Sequence, residues 1–570
     1  MGDASKIMKT FQPKLLGTFK GYSGSKLVND VVAGIIVAII ALPLSIALAI
    51  ASGVSPEQGL YTAIIAGFVI AMFGGSKVNI SGPTAAFATI VAGVVASYGV
   101  SGLIIATVMA GIMLILMGIC HFGSLIKFIP MTITVGFTAG IAVTIAIGQM
   151  KDFLGLDFGG AAPIETSEKV EEIIKSIDTL NWKALLVGAI GLAIMILWPM
   201  LGKTKLGLFS KIVSKIPPSI IAVIAGILIV QFTPLKVNTI GSLYPNLSAS
   251  LPTPSLPAFE LETVKAVIPS AFTIAILAAI ESLLSCVVSD GMIGDRHNSN
   301  TELIAQGMGN VCSGLFGGIP ATGAIARTAA NVKNGGRSPI SGMVHAVVLL
   351  LFLLVLMPLA KLIPMPIIAA ILFMVAYNMS EWKHFVHICR RSPRSDILVL
   401  LVTFVLTVVF DLVVAIAVGL VLAAVLFLKS MSDLTNVRTW KNKTDDKSDQ
   451  REKDIPHGTI VYEISGPMFF ADADKFIDFA MDEDTRVAII RMSHVPSIDA
   501  TAMKRLELFL TLCQKRGIVL LFSHVNEQPM KVFRKAGFCE KLGEDHLMEN
   551  IDTALERARE ICDTKEAKEN

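Results

Sequence analysis

Gly317-Gly318-Ile319-Pro320-Ala321-Thr322-Gly323-Ala324-Ile325-Ala326-Arg327 interrupts a series of long apolar runs with three glycines, a proline and a fixed positive charge. A membrane-crossing helix excludes both features unless the backbone leaves the helix there and the charge has a partner or a task. Helix-compatible sequence resumes after Thr322. The stretch therefore predicts a half-helix that begins inside the membrane. Its free N–H groups, together with Arg327, would cradle an anion.

Working outward, the composition agrees with a membrane setting. Of 570 residues, 53% are hydrophobic and 16% charged, against about 25% charged in a soluble domain. A net charge of +3 gives no footing for nucleic-acid binding. Seven scattered cysteines (Cys120, Cys286, Cys312, Cys389, Cys513, Cys539, Cys562) imply free thiols rather than a disulfide framework or a metal site. The first apolar run starts near Val31, after Lys6, Lys9, Lys14, Lys20 and Lys26, so no cleavable leader is expected.

Residues 1–27 read as a cytoplasmic N-terminal segment and 28–430 as a transmembrane domain. Apolar runs lie at about 29–52, 58–74, 82–98, 102–120, 127–149, 184–200 and 217–232. Others follow at 266–289, 302–317, 320–332, 339–359, 364–379 and 396–428. The last run exceeds the ~20 residues of one crossing, and splits into two spans turning at Asp411, for fourteen in all. The connections carrying Lys203, Lys205, Lys211 and Lys215, then Lys333 and Arg337, then Lys383, Arg390, Arg391 and Arg394 all fall on the N-terminal side. The positive-inside rule makes that side cytoplasmic, in a bacterial inner membrane, with both termini inside. A charged linker at 431–457 leads to a small α/β domain at 458–570. Strands at Thr459–Ile464, Val487–Arg491 and Ile518–Phe522 alternate with helical spacing at Ala500–Leu512 and Glu527–Ala536, implying a mostly parallel sheet.

A second interrupted stretch, Ser81-Gly82-Pro83-Thr84-Ala85-Ala86, opens the third run as the first stretch opens the tenth. Two such breaks at matching places in two sets of seven spans predict an inverted repeat. The two half-helix ends would then oppose each other and hold an anion near Thr84, Ala85, Ala324, Ile325, Ala326 and Arg327. Arg327 has an alternative role, snorkelling to the inner surface beside Lys333 and Arg337 or serving the scaffold. Glu281, with Ser285 one turn later on the same face, offers a coupling site for H⁺, or for Na⁺ with Ser285 helping. Alternatively, Glu281 pairs with Arg327 to hold two helices. Thr84 and Thr322 place hydroxyls at the two openings, where they could also bond backbone freed by Pro83 and Pro320. Asp411 reads as a turn residue at the outer surface, with a proton relay as the alternative, and His345 as a helix-packing or interfacial residue. In the α/β domain, Thr501 could accept a phosphate at a helix start, or that start is simply capped by Asp499 or Thr501. No Walker loop, metal cluster, nucleophile triad or other cofactor motif is present, so enzymatic function has no support.

The chain resembles the sulfate permease (SulP, solute carrier 26) family of anion transporters. The resemblance rests on Ala41-Leu42-Pro43-Leu44-Ser45, Ser81-Gly82-Pro83-Thr84, His297-Asn298-Ser299-Asn300-Thr301-Glu302-Leu303 and the stretch ending in Arg327. The C-terminal part, including Val495 to Ala502, resembles a STAS domain. The family implies a polytopic α-helical membrane protein with fourteen spans as a 7+7 inverted repeat (core and gate domains), a cytoplasmic STAS domain, and a homodimer. It places the anion between spans three and ten.

Ser52-Gly53-Val54, Gly59-Leu60-Tyr61-Thr62, Ala279-Ile280-Glu281-Ser282-Leu283-Leu284 and Asn378-Met379-Ser380-Glu381 are similar to the family's enteric C4-dicarboxylate carriers. That likeness implies uptake of succinate, fumarate, malate or aspartate with H⁺. The family's sodium-coupled bicarbonate carriers have Asp and Thr where this chain has Glu281 and Ser285. Ile325 stands where they supply a further Thr ligand, and Arg327 where they have Gly, which favours H⁺ over Na⁺. Ala502 and Thr501 depart from the STAS Asp-Ser-Ser-Gly pattern. Sulfate or bicarbonate uptake, and a regulatory scaffold built on the STAS domain docking a cytosolic protein, are the competing expectations.

Overall fold

The computed structural model describes residues 11–570 except 20–21, 125–129, 161–162, 164, 203–212, 214–215, 256–259, 411, 434, 441–454, 470–483 and 570. The expectations on Lys6, Lys9, Lys20, Lys203, Lys205, Lys211, Lys215, Asp411 and most of the linker lie outside the described residues.

The membrane unit is built from helices α1 (Gly24–Ala51), α2 (Pro56–Phe73), α3 (Ala88–Ile119), α4 (Met131–Leu154), α5 (Trp182–Gly202) and α6 (Pro218–Phe232). Then come α7 (Leu261–Ile293), α8 (Ser299–Leu315), α9 (Ile325–Lys333), α10 (Pro339–Ala360), α11 (Met365–Met379), α12 (Arg394–Val409) and α13 (Leu412–Asp433). Helix α3 is two spans in one: Gly99, with φ 67° and ψ −174°, breaks it where a residue with a Cβ would be strained. With that break the thirteen helices become fourteen helical segments, and among the described residues nine helical stretches are long and apolar enough to cross a membrane. Many begin where the sequence dictates. Pro56, Pro218 and Pro339 occupy first-turn positions whose N–H would lack a partner in any case. Gln58 Oε1 also accepts from the Ser55 amide, closing the start of α2.

Helices α1–α3 pack with α7–α10, and α4–α6 pack with α11 and α12. These two groups are the core and the gate. Close helix approach in the core comes from glycine. A Cβ on Gly111 of α3 would stand 2.7 Å from the Gly307 carbonyl, and one on Gly307 would stand 2.4 Å from the Gly111 carbonyl. Small residues are the means by which helices in lipid gain van der Waals contact, since lipid offers no hydrophobic gain.

Two very short strands join the halves: β1 (Ser81–Gly82) pairs antiparallel with β2 (Thr322–Gly323), Ser81 opposite Gly323 and Gly82 opposite Thr322. Extended backbone at membrane depth is tolerated because all four residues are buried in protein. Each strand runs into a helix start, so the interrupted stretches read from sequence meet edge to edge.

The second unit carries a sheet ordered β3 (Asn436–Trp440), β4 (Thr459–Ser465), β5 (Val487–His494), β6 (Val519–Ser523) and β7 (Leu547–Met548). The β4–β7 pairings are parallel and β3 is antiparallel at the edge. Helices α14 (Ala500–Lys515) and α15 (Glu527–Lys535) supply buried side chains to one apolar layer, and α16 (Ile551–Glu569) to the other. Asn436–Trp440 joins the sheet ahead of residue 458, where the sequence pattern starts the domain. It is short, only Val437 and Trp440 are partly buried, and a charged stretch follows it directly in the sequence.

Candidate anion site

The first opening places Thr84 as an uncapped start to the one-turn helix Ala85–Phe87, which continues into α3. The second places Ala324 before α9, again with no side-chain cap. The N–H groups of a helix's first turn have no intrahelical partner, so both ends present free donors and the positive end of a dipole. The Ala324 amide is spent on the Ile80 carbonyl at 2.8 Å, which fixes α9 to the β1 strand.

The structure brings Thr84 and Glu281 together: the Thr84 hydroxyl donates to Glu281 Oε2 at 2.9 Å. Glu281 is half-buried and lies in mid-α7. No cation stands within 4.0 Å of it among the described residues, so Glu281 and Arg327 attract across a gap without forming an ion pair. Ile325 and Ala326 face open space, Ile325 at 42% exposure, whereas Ala85 and Ala324 are buried. Arg327 turns the other way. It is 4% exposed, and its Nη2 donates to the Pro83 carbonyl of the opposite opening. Arg327 therefore does not snorkel, and its bond to Pro83 is one that a scaffold role would also make. The C-terminal end of α9 belongs instead to Arg337, whose Nη1 donates to the Val332 carbonyl at 2.7 Å.

Thr322 and Ser285 are committed to scaffold. The Thr322 hydroxyl donates to the Ala278 carbonyl at 3.0 Å and lies 2.7 Å from Ser282 Oγ, which accepts from the Gly323 amide. Ser285 donates to Asn79 Oδ1 at 2.7 Å and lies 3.1 Å from Thr328 Oγ1.

Behind the openings is a polar hub that the sequence reading did not single out. Glu302, fully buried on α8, accepts from the Gly75 and Ser76 amides at 2.9 and 3.2 Å. It also accepts from Asn79 Nδ2 at 2.8 Å and Gln306 Nε2 at 3.0 Å. A buried carboxylate without a cation survives when N–H donors take up its charge, each charged hydrogen bond contributing about 1.5–3 kcal/mol. Asn310 similarly clamps Ala321 through both its amide and its carbonyl, at 2.8 and 2.9 Å. The available signal was the density of polar residues in the run from His297 to Asn310.

With this geometry established, comparison identifies the chain. The sulfate permease family matches residues 27–403, and the STAS domain matches 450–554. The chain belongs to the sulfate permease family. Its relatives include YvdB of Bacillus subtilis, a candidate sulfate transporter, 40% identical over 94% of this chain and 98% of YvdB. The bicarbonate transporter BicA of a Picosynechococcus strain is 33% identical over 84% of this chain and 85% of BicA. Among solved structures, the murine anion transporter Slc26a9 in an inward-facing state superposes with a TM-score of 0.83. At 18% identity over 97% of this chain and 95% of that one, this likeness concerns the fold. This sulfate permease family member is thus an anion transporter with a C-terminal STAS domain, not an enzyme.

In the STAS domain, Asp499 rather than Thr501 caps α14, its Oδ1 accepting from the Ala502 amide at 2.8 Å. Thr501 is exposed beside that cap.

Proposed function

We propose that this transporter imports small carboxylate anions of the C4-dicarboxylate class together with H⁺. The anion would lie between the two openings, near Thr84, Ala85 and Ala324–Ala326, with the charge of Arg327 beneath it. The observation that carries the reading is Glu281: accessible, bonded to Thr84 at 2.9 Å, and without a paired cation among the described residues. An ionised Glu281 opposes an incoming anion. At ~7 Å and an effective dielectric of about 20, the repulsion is about 2 kcal/mol. Protonating Glu281 removes it, so anion and proton favour each other's binding and move together. Two features support H⁺ over Na⁺. Ile325 contributes no side-chain oxygen, and the Ser285 hydroxyl is directed to Asn79 and Thr328.

The basic connections support a cytoplasmic-membrane location with both termini inside, and the family resemblance supports a homodimer. A STAS domain with an exposed Thr501 is suited to docking a cytosolic protein. Sulfate uptake is the second reading, favoured by the likeness to YvdB, and the likeness to BicA adds bicarbonate. Purified protein in proteoliposomes separates these readings. Labelled succinate should accumulate under an inward pH gradient and be displaced by fumarate more readily than by sulfate or bicarbonate. Uptake indifferent to the gradient would overturn H⁺ coupling. Displacement by sulfate at lower concentration than fumarate would overturn the carboxylate assignment.

A further inference from the structure

His345 takes no part in the contacts described so far, yet it has no exposed surface, and neither ring nitrogen finds a hydrogen-bond partner. Buried polar groups are rarely left in that state, and each instance calls for a physical reason. Arg327 has the same deficit at Nη1, although Nη2 is bonded to Pro83.

Helix α2 places the two groups side by side. A Cβ on Gly67 would stand 4.0 Å from His345 Nδ1 and 3.1 Å from the Ser81 carbonyl. One turn away on the same face is Ala63, whose Cα lies 3.4 Å from where a Cβ on Gly82 would stand; that same Cβ would be 2.7 Å from Arg327 Nη1. The imidazole and the guanidinium therefore back onto adjacent small-residue positions of α2, beneath β1. Their chemistry is complementary. A guanidinium only donates, whereas a neutral imidazole always keeps one acceptor nitrogen.

We propose that His345 is a positioning residue for Arg327, its acceptor nitrogen joined to Nη1 through one buried water so that the guanidinium stays beneath the anion. This rests on the reading of Arg327 as the anion-holding charge. With both edges of the fork held, by Pro83 on one side and His345 on the other, the charge is fixed before the anion arrives. Binding then needs no reorganisation of it.

The test compares His345→Phe, His345→Gln and Arg327→Met in full-length protein, with labelled succinate and labelled sulfate as probes. His345→Phe should raise KM about 10-fold with kcat within about 2-fold, while His345→Gln, which keeps an acceptor oxygen, restores KM to within about 3-fold. The Phe/Met double variant should match Arg327→Met alone, because the two substitutions remove one arrangement. An unchanged KM in His345→Phe, failure of Gln to rescue, or strictly additive effects overturns the proposal. If Arg327→Met itself leaves KM unchanged, the reading of the anion site falls, and this inference falls with it. If Arg327→Met weakens binding but His345→Phe does not, only the inference falls. His345→Met replaces the Phe variant should the latter aggregate. Independently of any anion, a high-resolution map in nanodiscs should show density within hydrogen-bond reach of both Arg327 Nη1 and a His345 nitrogen. A dry gap there overturns the proposal.

Discussion

The two openings share a backbone and differ in their side chains. Each is a two-residue strand running into an uncapped helix start, and the strands pair with each other. At the first opening, Thr84 faces the accessible side and reaches Glu281. At the second, Thr322 is drawn into α7 and Arg327 crosses to Pro83. The repeat thus builds a symmetric cradle of N–H donors, while the side chains divide the labour. One opening holds the titratable partner and the other the permanent charge. A site made only of opposed helix ends would accept any small anion. Under the proposed H⁺ coupling, the asymmetry is what would let a proton gradient act on it.

The sharpest way to break this comparison is to remove the charge. Arg327→Met should raise KM for the transported anion about 100-fold, as the loss of the fixed charge beneath the proposed site implies. Thermal stability should fall by only about 1–3 kcal/mol, since the guanidinium's hydrogen bond is to the Pro83 carbonyl and no counter-ion is stranded. Uptake kinetics and a melting curve on the same preparation check both halves of the statement. Next comes Glu281→Gln, which keeps the contact to Thr84 but holds no exchangeable charge. One-proton symport under an inward gradient of one pH unit supports about tenfold accumulation. The variant should retain facilitated exchange and lose that accumulation. Accumulation that persists in Glu281→Gln would move the coupling function away from the first opening.

A third comparison probes the strands directly. On Gly82, a Cβ meets the end of the flexible Arg327 side chain at 2.7 Å; on Gly323, it meets the bonded amide of Asn79 at 2.7 and 2.9 Å and the Ser282 Cα at 3.1 Å. Gly82→Ala should therefore fold with nearly native stability but bind the anion several-fold more weakly, as Arg327 shifts. Gly323→Ala disturbs the hub through Asn79 and should cost about 1–3 kcal/mol of stability. Melting temperature against KM separates the two; equal effects on both variants would mean that the openings are not divided as described.

Much of this architecture is written locally in the chain. Glycine and proline inside apolar runs mark the two openings, Gly99 falls in the gap between the third and fourth runs, and the α/β domain announces itself by its change of composition. The helix starts at Pro56, Pro218 and Pro339 are equally local. What could not be read depends on contacts between distant spans. Asn79 and Glu302 are 223 residues apart, and nothing near either shows that one hydrogen-bonds the other. Ser285 sits on α7 one turn from Glu281 in sequence, but Asn79 and Thr328 capture its hydroxyl. Arg327 was legible as a charge needing a reason. Its direction, inward to Pro83 rather than outward, follows from the pairing of β1 with β2. His345 reads from the sequence as a helix-packing or interfacial residue, because a lone His in an apolar run does not show whether its ring nitrogens find partners.

The smallest expected effect sharpens the comparison from outside the membrane. Helix α14 begins as α9 does, with an extended residue before the first turn, but Asp499 caps it. Its donor is therefore already taken, whereas α9 and Ala85–Phe87 have no side-chain cap, which leaves theirs for the proposed anion. Asp499→Ala should destabilise the soluble domain by about 1 kcal/mol, seen as faster hydrogen exchange of the first-turn amides of α14 in the full-length protein. Thr501→Asp adds a negative charge at a helix start that already has one, so the dipole gain is a few tenths of a kcal/mol at most, and transport should stay within about 2-fold. If Thr501→Asp instead alters uptake strongly while leaving exchange at α14 untouched, its effect cannot run through the helix start. Exposed Thr501 would then be acting on something that docks against it.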